Sequence, residues 1–505
     1  MKLNKLFLMA AMGLGLFACS ENELEGNGPE GAQNEGTTYV GLKINFNSSS
    51  TRADGDQPID GDGDGQTYVT DAEGNEAAIR DVYILITDED GSNPQSLTDE
   101  NATKSGDIYI FQIQPGKKKF YAVVNAKALG IDLSSWKGQD KFSLTKKALE
   151  LCDYNTGTDE GKGFLMSSVE AVPLTVLDNV TQQQVEEGEA NSIKITVERV
   201  VAKVTMQLSE DLARQDGFKD QTATLKNLTC QIGNADNIKY DKAGASDDAK
   251  YSTAGMYLMA FNNTSGVRET PYYNYVEKGG AFWDNFSENK LLANEQSIYP
   301  VDNNTPKTAR FYCLENTHAS GNYLQGNTTF IKVAAEMIPN SAKQFAYSDS
   351  KVTISDKQTM PTELETFYVI TAAPDQNDQN AYVFAADLAA LYDDLVPGGI
   401  AVDNDAKAAA VVEALATYNY HFTKPYTDGC GYYNIWVNDM KDANGQSFAP
   451  VFRNDWYNLT IQSLKLPGSP TGDLDPEEPI HPNTNIGITL TVRNWNKVNH
   501  DVDLQ

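Results

Sequence analysis

The sequence is short of the residues from which most catalytic and metal sites are built. Histidine occurs only four times in 505 residues, which leaves little material for an acid–base or metal site based on imidazole. The motifs HExxH, GxSxG and GxGxxG and the phosphate-binding P-loop are all missing. The histidines are scattered, and none stands at a metal-ligand spacing from another: His318, His421, His481 and His500. We therefore expect a protein that is not an enzyme and that holds no cofactor.

Cysteine and basic residues are also scarce. The chain has five cysteines and no CxxC pair, and four of them lie about 80 residues or more apart: Cys152, Cys230, Cys313 and Cys430. This spacing fits neither a zinc site nor a dense disulfide framework and indicates buried thiols, although it leaves their disulfide state open. With 40 basic against 70 acidic residues the formal charge is −30. Such a surface argues against nucleic acids and anionic membranes as partners.

The apolar run near the start of the chain is too short to cross a bilayer. Residues 6–17 span about a dozen positions, whereas a membrane helix needs roughly 20. Two lysines precede the run, so it predicts a signal peptide over residues 1–18. The sequence LFAC at its end is typical of a lipobox with Cys19 as the acylated residue, although Phe17 is bulkier than usual there. The alternative is a plain signal peptide followed by a chance cysteine.

Apolar residues alternate with polar ones along most of the chain. Between residues 39 and 46 every second residue is apolar, which is the pattern of a half-buried strand. Only 385–392 and 405–418 have a helical pattern. Many strands and few helices predict an all-β protein built of sandwich domains. Further strands are predicted at 82–86, 108–113, 120–124, 172–176, 193–208, 223–232, 329–335, 366–372 and 486–492.

The length of the chain and its loops suggest how it is divided. A chain of 505 residues is too long for one ordinary core, and two domains are expected. The alternation over 193–208 contains no breaker, so we place the junction near its middle, between an N-terminal domain at 53–200 and a C-terminal domain at 201–505. The proline-rich segment 467–482 is predicted to be a loop that frees the last strand.

The first and last predicted strands have the same pattern and length. Either could fill one row of hydrophobic pockets, although any two half-buried strands share such a pattern. The apolar residues are Val40, Leu42, Ile44 and Phe46 in the first strand and Ile486, Ile488, Leu490 and Val492 in the last.

A candidate protease site separates the first strand from the rest of the chain. Arg52 is a lone basic residue in a polar segment rich in Gly and Asp, an arrangement that suits cleavage of the Arg52-Ala53 bond. Cleavage would release the first strand and leave an open sheet edge, which proteins avoid unless another strand fills it. The last strand of a neighbouring molecule could fill it by strand addition.

Six sequence blocks, taken in their order and spacing, resemble the fimbrillins of Bacteroidales. These proteins form type V fimbriae, and the resemblance is to the shaft subunits of minor fimbriae. It spans nearly the whole chain and lies at 116–126 (GKKKFYAVVNA), 164–167 (FLMS), 199–204 (RVVAKV), 312–316 (YCLEN), 431–437 (GYYNIWV) and 451–457 (VFRNDWY).

The resemblance implies a fold, a processing route and partners. The fold would be two transthyretin-like β-sandwich domains, with short helices in the C-terminal one. The precursor would be a lipoprotein, acylated at Cys19 and carried to the outer membrane. An Arg-specific protease would cut the Arg52-Ala53 bond and remove residues 19–52, and the segment 486–495 would be the donor strand. The product would be a structural subunit of an extracellular fimbrium that polymerises with copies of itself, joins anchor and tip subunits and supports adhesion to host or bacterial surfaces.

Two further patterns each have a functional and a structural interpretation. An acidic run imitates an EF-hand loop, but its last ligand is shorter than the usual Glu and no helices flank it, so a solvated loop is the alternative: Asp60, Asp62, Asp64 and Asp71. A group of aromatic residues could stack on sugars or fill the core under a long loop: Tyr272, Tyr273, Tyr275, Phe282, Trp283 and Phe286.

Two other functions remain open. A glycan-binding or glycan-cleaving surface lipoprotein would place the aromatic group in a cleft and would stay monomeric, with both terminal strands docked. An adhesin at the fimbrial tip would need no function for its last strand. The ligand, the protease and the choice between shaft and tip are not determined by the sequence.

Overall fold

A computed structural model describes most of the chain. The described residues are 36–46, 76, 78–153, 161–213, 222–236, 238–240, 251–253, 255–262, 268, 270, 293–299, 307–318, 321–442, 445–464, 467–475, 477–481 and 486–494. The prediction of an all-β protein with few, short helices is confirmed.

Most strands of the first half form one nine-stranded sheet. The strands of this half are, in chain order, β1 (Thr38–Phe46), β2 (Val82–Asp88), β3 (Gln95–Thr98), β4 (Thr103–Ser105), β5 (Ile108–Ile113), β6 (Gly116–Val124), β7 (Ser143–Leu144), β8 (Cys152–Asp153), β9 (Gly163–Phe164), β10 (Met166–Ser168), β11 (Val172–Val176) and β12 (Ser192–Arg199). Across the sheet their order is β3-β2-β6-β10-β12-β1-β5-β4, and β11 also pairs with β6. One short helix, α1 (Gln182–Glu186), lies between β11 and β12.

The core of this half collects apolar side chains from both sides of the sheet. Strands β1, β2, β5 and β6 all contribute to it. The ring of Trp136, which is fully buried, packs against Tyr83 and Tyr121 with ring centroids 6.2 and 5.6 Å away. Aromatic rings carry the largest apolar area of any side chain, so this loop tryptophan adds a large buried surface to the core.

The second half is a sandwich of two four-stranded sheets with a helical addition. Its strands are β13 (Val201–Leu208), β14 (Ala223–Gly233), β15 (Ile238–Tyr240), β16 (Tyr251–Thr253), β17 (Met256–Tyr257), β18 (Ala293–Ser297), β19 (Ala309–Leu314), β20 (Phe330–Pro339), β21 (Lys343–Ser348), β22 (Lys351–Asp356), β23 (Phe367–Ala372), β24 (Tyr382–Phe384), β25 (His421–Phe422), β26 (Cys430–Trp436), β27 (Met440–Lys441), β28 (Ser447–Phe448), β29 (Asp455–Leu464) and β30 (Ile486–Asn494). The sheets β19-β13-β29-β30 and β18-β14-β20-β26 share one core.

The helices of the second half are α2 (Glu210–Ala213), α3 (Ala385–Ala389), α4 (Tyr392–Leu395) and α5 (Asn404–Ala416). The predicted helix at 405–418 is confirmed as α5, which is capped by Asp403 and buries Val411 and Leu415. The helix predicted at 385–392 is instead two short helices. The Leu391 N–H donates to the carbonyl three residues before it, at Leu388 (2.9 Å), and this tighter turn interrupts the α-helical pattern.

The predicted continuous alternation at 193–208 is two strands that belong to different sheets. Strand β12 ends at Arg199 and β13 begins at Val201, so only Val200 separates them. Val200 and Val201 lie in the core of the first half, whereas Val204 lies in that of the second. We propose that the junction between the two domains lies at this residue.

The segment before the last strand, which the sequence predicts to be a loop, is attached to the body of the second half. Leu474 and Ile480 are buried beside Trp436. Ser469 and Tyr432 exchange two backbone hydrogen bonds of 2.9 and 2.8 Å. Apolar burial and backbone pairing therefore hold this segment, although its composition is polar.

Candidate functional site

The first strand, β1, is an interior strand of the nine-stranded sheet. It pairs in antiparallel fashion with β5, from Thr38 opposite Ile113 to Lys43 opposite Ile108. Along its other edge it runs parallel to β12. Removal of β1 would therefore expose unpaired backbone groups on two strands at once, which is a larger defect than the loss of an edge strand.

One face of β1 lies in the core of the first half. Val40 and Leu42 are fully buried, and Ile44 packs partly against the same core. The side chain of Phe46 lies outside the described residues, although its backbone is paired with Val197. Each buried aliphatic side chain of this size contributes about 1.5–3 kcal/mol, so the segment leaves a substantial apolar groove if it departs.

The opposite face of β1 is covered by residues 177–191, which we call the strap. The strap contains α1, whose Val185 is fully buried beside Ile110 and Val180. A capping box between Thr181 and Gln184 starts this short helix. The groove that holds β1 is therefore bounded by β5 and β12 at its two sides, by the core of the first half on one face, which we call its floor, and by the strap with α1 on the other.

Hydrogen bonds fix the position of β1 under the strap. The Val180 N–H donates to Thr38 Oγ1 (3.0 Å), and the Tyr39 N–H donates to the Val180 carbonyl (3.3 Å). The Gly41 N–H donates to the Asn191 carbonyl (3.0 Å), and Asn191 Nδ2 donates to the Tyr39 carbonyl (2.9 Å). Asn191 has φ +45°, a conformation that asparagine tolerates better than most residues.

The last strand, β30, occupies an edge of its sheet. It pairs in antiparallel fashion with β29, from Ile486 opposite Leu464 to Asn494 opposite Asp455. Ile488 and Leu490 are partly buried against the core of the second half. The side chains of Ile486 and Val492 lie outside the described residues. Among the described strands β29 is the one partner of β30, so β30 has half as many backbone neighbours as β1.

A buried polar cluster that sequence reasoning missed lies where the two halves meet. The carboxylate of Glu76 accepts from Lys203 Nζ (2.9 Å) and from the Tyr312 hydroxyl (2.8 Å), and its backbone carbonyl accepts from Arg199 Nε (2.7 Å). All four residues are buried. Burial lowers the pKa of Arg199 to about 10 and raises that of Tyr312. The available signal was a pair of basic residues, Arg199 and Lys203, on either side of the apolar run 200–202.

A second buried pair extends this cluster. Arg453 Nε lies 2.9 Å from Glu315, and its two other nitrogens donate to the carbonyls of Leu258 and Tyr257 (2.9 and 2.7 Å). Burial raises the pKa of Glu198 nearby to about 7. Three of the blocks that resemble fimbrillins, at 199–204, 312–316 and 451–457, contribute residues to these contacts. Those blocks thus join the two halves of the molecule.

Several predicted site residues lie outside the described residues. These are the acylation candidate Cys19, the processing pair Arg52 and Ala53, the calcium candidates Asp60, Asp62, Asp64 and Asp71, and the aromatic group from Tyr272 to Phe286.

The described cysteines and His318 are wholly or partly buried. Cys152, Cys230 and Cys313 are buried free thiols and Cys430 is half-buried, and burial raises the pKa of Cys230 to about 12. Burial lowers the pKa of His318 to about 4. In the part of the chain that the structure describes, no three His, Cys, Asp or Glu side chains lie together as metal ligands would. No described helix is long and apolar enough to cross a membrane.

Comparison with known proteins relates the chain to fimbrial subunits. Residues 424–501 match the family "Major fimbrial subunit protein type IV, Fimbrillin, C-terminal". The chain is 22% identical over 506 residues to the minor fimbrium subunit Mfa1 of Porphyromonas gingivalis, covering 94% of this chain and 90% of the relative. A second Mfa1 sequence from that organism is 22% identical over 508 residues, with the same shares covered.

Two solved structures are also similar. The fimbrilin FimA of Porphyromonas gingivalis W83 gives a TM-score of 0.40 at 14% identity, over 91% of this chain and 97% of that one. The tip fimbrial protein Mfa3 of Porphyromonas gingivalis, with a C-terminal truncation, gives 0.35 at 12% identity, over 91% and 100%.

Proposed function

We propose that this chain, a member of the fimbrillin family of fimbrial subunits and adhesion proteins, is the shaft subunit of a cell-surface fimbrium. Its similarity to the minor fimbrium subunits of Porphyromonas gingivalis extends over 94% of its length and supports a role as a fimbrial subunit. The observation that carries the mechanism is the position of β1, which is interior in the sheet yet lies before Arg52 in the sequence.

The proposed route begins with a precursor acylated at Cys19 and held at the outer membrane. An Arg-specific protease then cuts the Arg52-Ala53 bond. Until that cut, β1 is covalently tied to its groove and returns to it at high effective concentration; afterwards only non-covalent contacts hold it. Cleavage therefore turns a permanent strand into a replaceable one.

The proposed replacement is β30 of the next copy, including Ile486, Ile488, Leu490 and Val492. Leaving its own sheet costs β30 one ladder of backbone hydrogen bonds, whereas entering the groove gains two, with β5 and β12. Each hydrogen bond makes a net contribution of about 0.5–1.5 kcal/mol to stability. The apolar side chains of the incoming strand would also become buried against the core of the first half. Once β1 has left, this difference favours entry of β30 into the empty groove and growth of the polymer, in which anchor and tip subunits would terminate the shaft and surface ligands would be its targets.

The experiment that tests the proposal treats the purified full chain with an Arg-specific protease and follows polymers by gel electrophoresis without boiling. We expect a ladder of SDS-stable oligomers with Ala53 as the N-terminal residue. Arg52→Ala should stay monomeric, and deletion of 486–505 should keep the fold but stop growth.

Two results would contradict the proposal. Normal polymers from either variant would exclude exchange by these strands. An acylated Cys19 on a monomeric surface form, with no Ala53 terminus, would favour the glycan-binding lipoprotein instead.

A further inference from the structure

Gly41 is the place where β1 passes closest to the strap. A Cβ atom at this position would lie 2.3 Å from Val185 Cγ1 and 3.0 Å from Ile108 Cγ2. Both neighbours are held in place, because Val185 is fully buried and Ile108 is part of the β5 ladder with β1. The need for glycine here is one of space, since it is the side chain and not the backbone conformation that would collide.

The neighbouring positions on the same face of β1 make no such demand. Tyr39 packs beside the strap with its large ring, and Lys43 has a half-exposed side chain paired with Asp107 at 3.2 Å. The strap therefore leaves no space for a side chain at one position of the strand that occupies the groove. A strand that carries a side chain at that position cannot settle without displacing Val185.

The last strand carries a glycine at the matching place. Gly41 lies between Val40 and Leu42, and Gly487 lies between Ile486 and Ile488. With Gly487 at the place of Gly41, the apolar residues of the last strand fall on the core face, because side chains alternate along a strand. A shift by one residue would turn them to the strap, and a shift by two would bring Asn485 or Thr489 against Val185.

A threonine matches in the same alignment. Thr38 is buried and its Oγ1 accepts the Val180 N–H at 3.0 Å, and Thr484 stands the same distance before Gly487 in the sequence. The two strands thus read T-x-V-G-L-x-I-x-F and T-x-I-G-I-x-L-x-V.

From these observations we infer that Gly487 sets the register of strand exchange, and that the groove selects the last strand of a second copy of this chain by the space under Val185. The inference rests on the proposed function and specifies which strand fits and in which register. A strand with the same apolar pattern but without the glycine would be rejected.

The test compares variants of the full chain after cleavage by an Arg-specific protease, with the rate of SDS-stable oligomer formation as readout. Gly487→Ala should slow assembly by about tenfold or more, since overpacking of a tight site is costly. Thr489→Ala, on the same face but at the place of the half-exposed Lys43, should assemble like wild type.

Rescue separates this role from a local effect on β30. In its own sheet Gly487 pairs with Ser463 beside a bulge in β29, so Gly487→Ala could act there instead. Val185→Ala removes both Cγ atoms and leaves the Cβ of residue 185, which lies 3.8 Å from the position of a Cβ atom at Gly41. Combined with Gly487→Ala it should restore assembly to within about threefold of wild type.

Three results would overturn the inference. Wild-type rates for Gly487→Ala, or a double variant as slow as the single one, would remove the register role while leaving strand exchange in place. Absence of oligomers from cleaved wild-type chain would instead refute the proposed function itself, and this inference with it.

Discussion

The carboxylate of Glu76 is the centre of a buried polar cluster between the two halves of the chain. It neutralises Lys203, whose side chain is 1% exposed, while Arg199 is held by the Glu76 carbonyl. Taking ions out of water costs several kcal/mol each. The cluster is therefore stable only while each charge keeps its partner.

Glu76→Gln should destabilise the protein by about 3–5 kcal/mol, because it leaves the Lys203 ammonium buried without a countercharge. The measurement is the midpoint of urea unfolding. Lys117→Ala is the matched control, since it breaks an ion pair of 3.2 Å with Glu89 in which both side chains are mostly exposed. The Lys117→Ala variant should have the same urea midpoint as wild type. A wild-type midpoint for Glu76→Gln would contradict the prediction.

Glu198 should make stability depend on pH. Burial raises its pKa to about 7, above the usual 4.5. Between these values the folded protein keeps the proton that the unfolded chain releases, so the contribution of this group to stability falls as the pH rises from about 4.5 to 7.

Glu198→Gln removes that titration. The stability of the variant relative to wild type should therefore increase from pH 5 to pH 7.5, as measured by urea unfolding at each pH. A constant difference between the two proteins over this range would show that Glu198 does not titrate there.

At the scale of elements, β1 and β30 differ in how they are held although their apolar patterns match. β1 has two strand neighbours, a core floor and the strap, whereas β30 has one strand neighbour. The element that is removed in the proposed route is thus the better anchored one. Its departure should limit the rate of assembly after cleavage.

Leu42→Ala should accelerate assembly after cleavage. Truncation of a fully buried leucine weakens packing by about 2–5 kcal/mol, and it weakens β1 without altering the incoming strand. The rate of SDS-stable oligomer formation is the measurement. Lys43→Ala, whose side chain is 44% exposed, should leave the rate unchanged, and a slower rate for Leu42→Ala would mean that release of β1 is not limiting.

At the scale of the whole molecule, copies of this chain repel one another. The chain carries a formal charge of −30, and exposed charges interact over about 30 Å at 0.01 M salt but only about 8 Å at 0.15 M. A polymer of such subunits must form against this repulsion.

Assembly of the cleaved protein should therefore be faster at 0.15 M than at 0.01 M salt. The measurement is the initial rate of oligomer formation at a fixed protein concentration, with Arg52→Ala as the monomeric reference at both. Slower assembly at the higher salt concentration would indicate that oppositely charged surfaces guide the subunits together.

The secondary structure could be predicted from the sequence because it depends on a local pattern. The alternations at 82–86, 108–113 and 120–124 predicted β2, β5 and β6, and the alanine-rich stretch at 405–418 predicted α5. The matched patterns of the first and last strands could be recognised for the same reason, since alternation is a property of neighbours along the chain.

Only the tertiary structure decided which strands are neighbours. That β1 lies between β12 and β5, that one alternation breaks at Val200 into two sheets, and that Glu76 meets Lys203 all depend on pairings between distant segments. The lack of space for a side chain at Gly41 likewise arises from Val185, which is 144 positions away in the sequence. A local pattern shows which side chains share a face of a strand, but it does not show the order of the strands in a sheet. That order determines which distant segments meet, and so it places the strap over the groove and the buried charges beside one another.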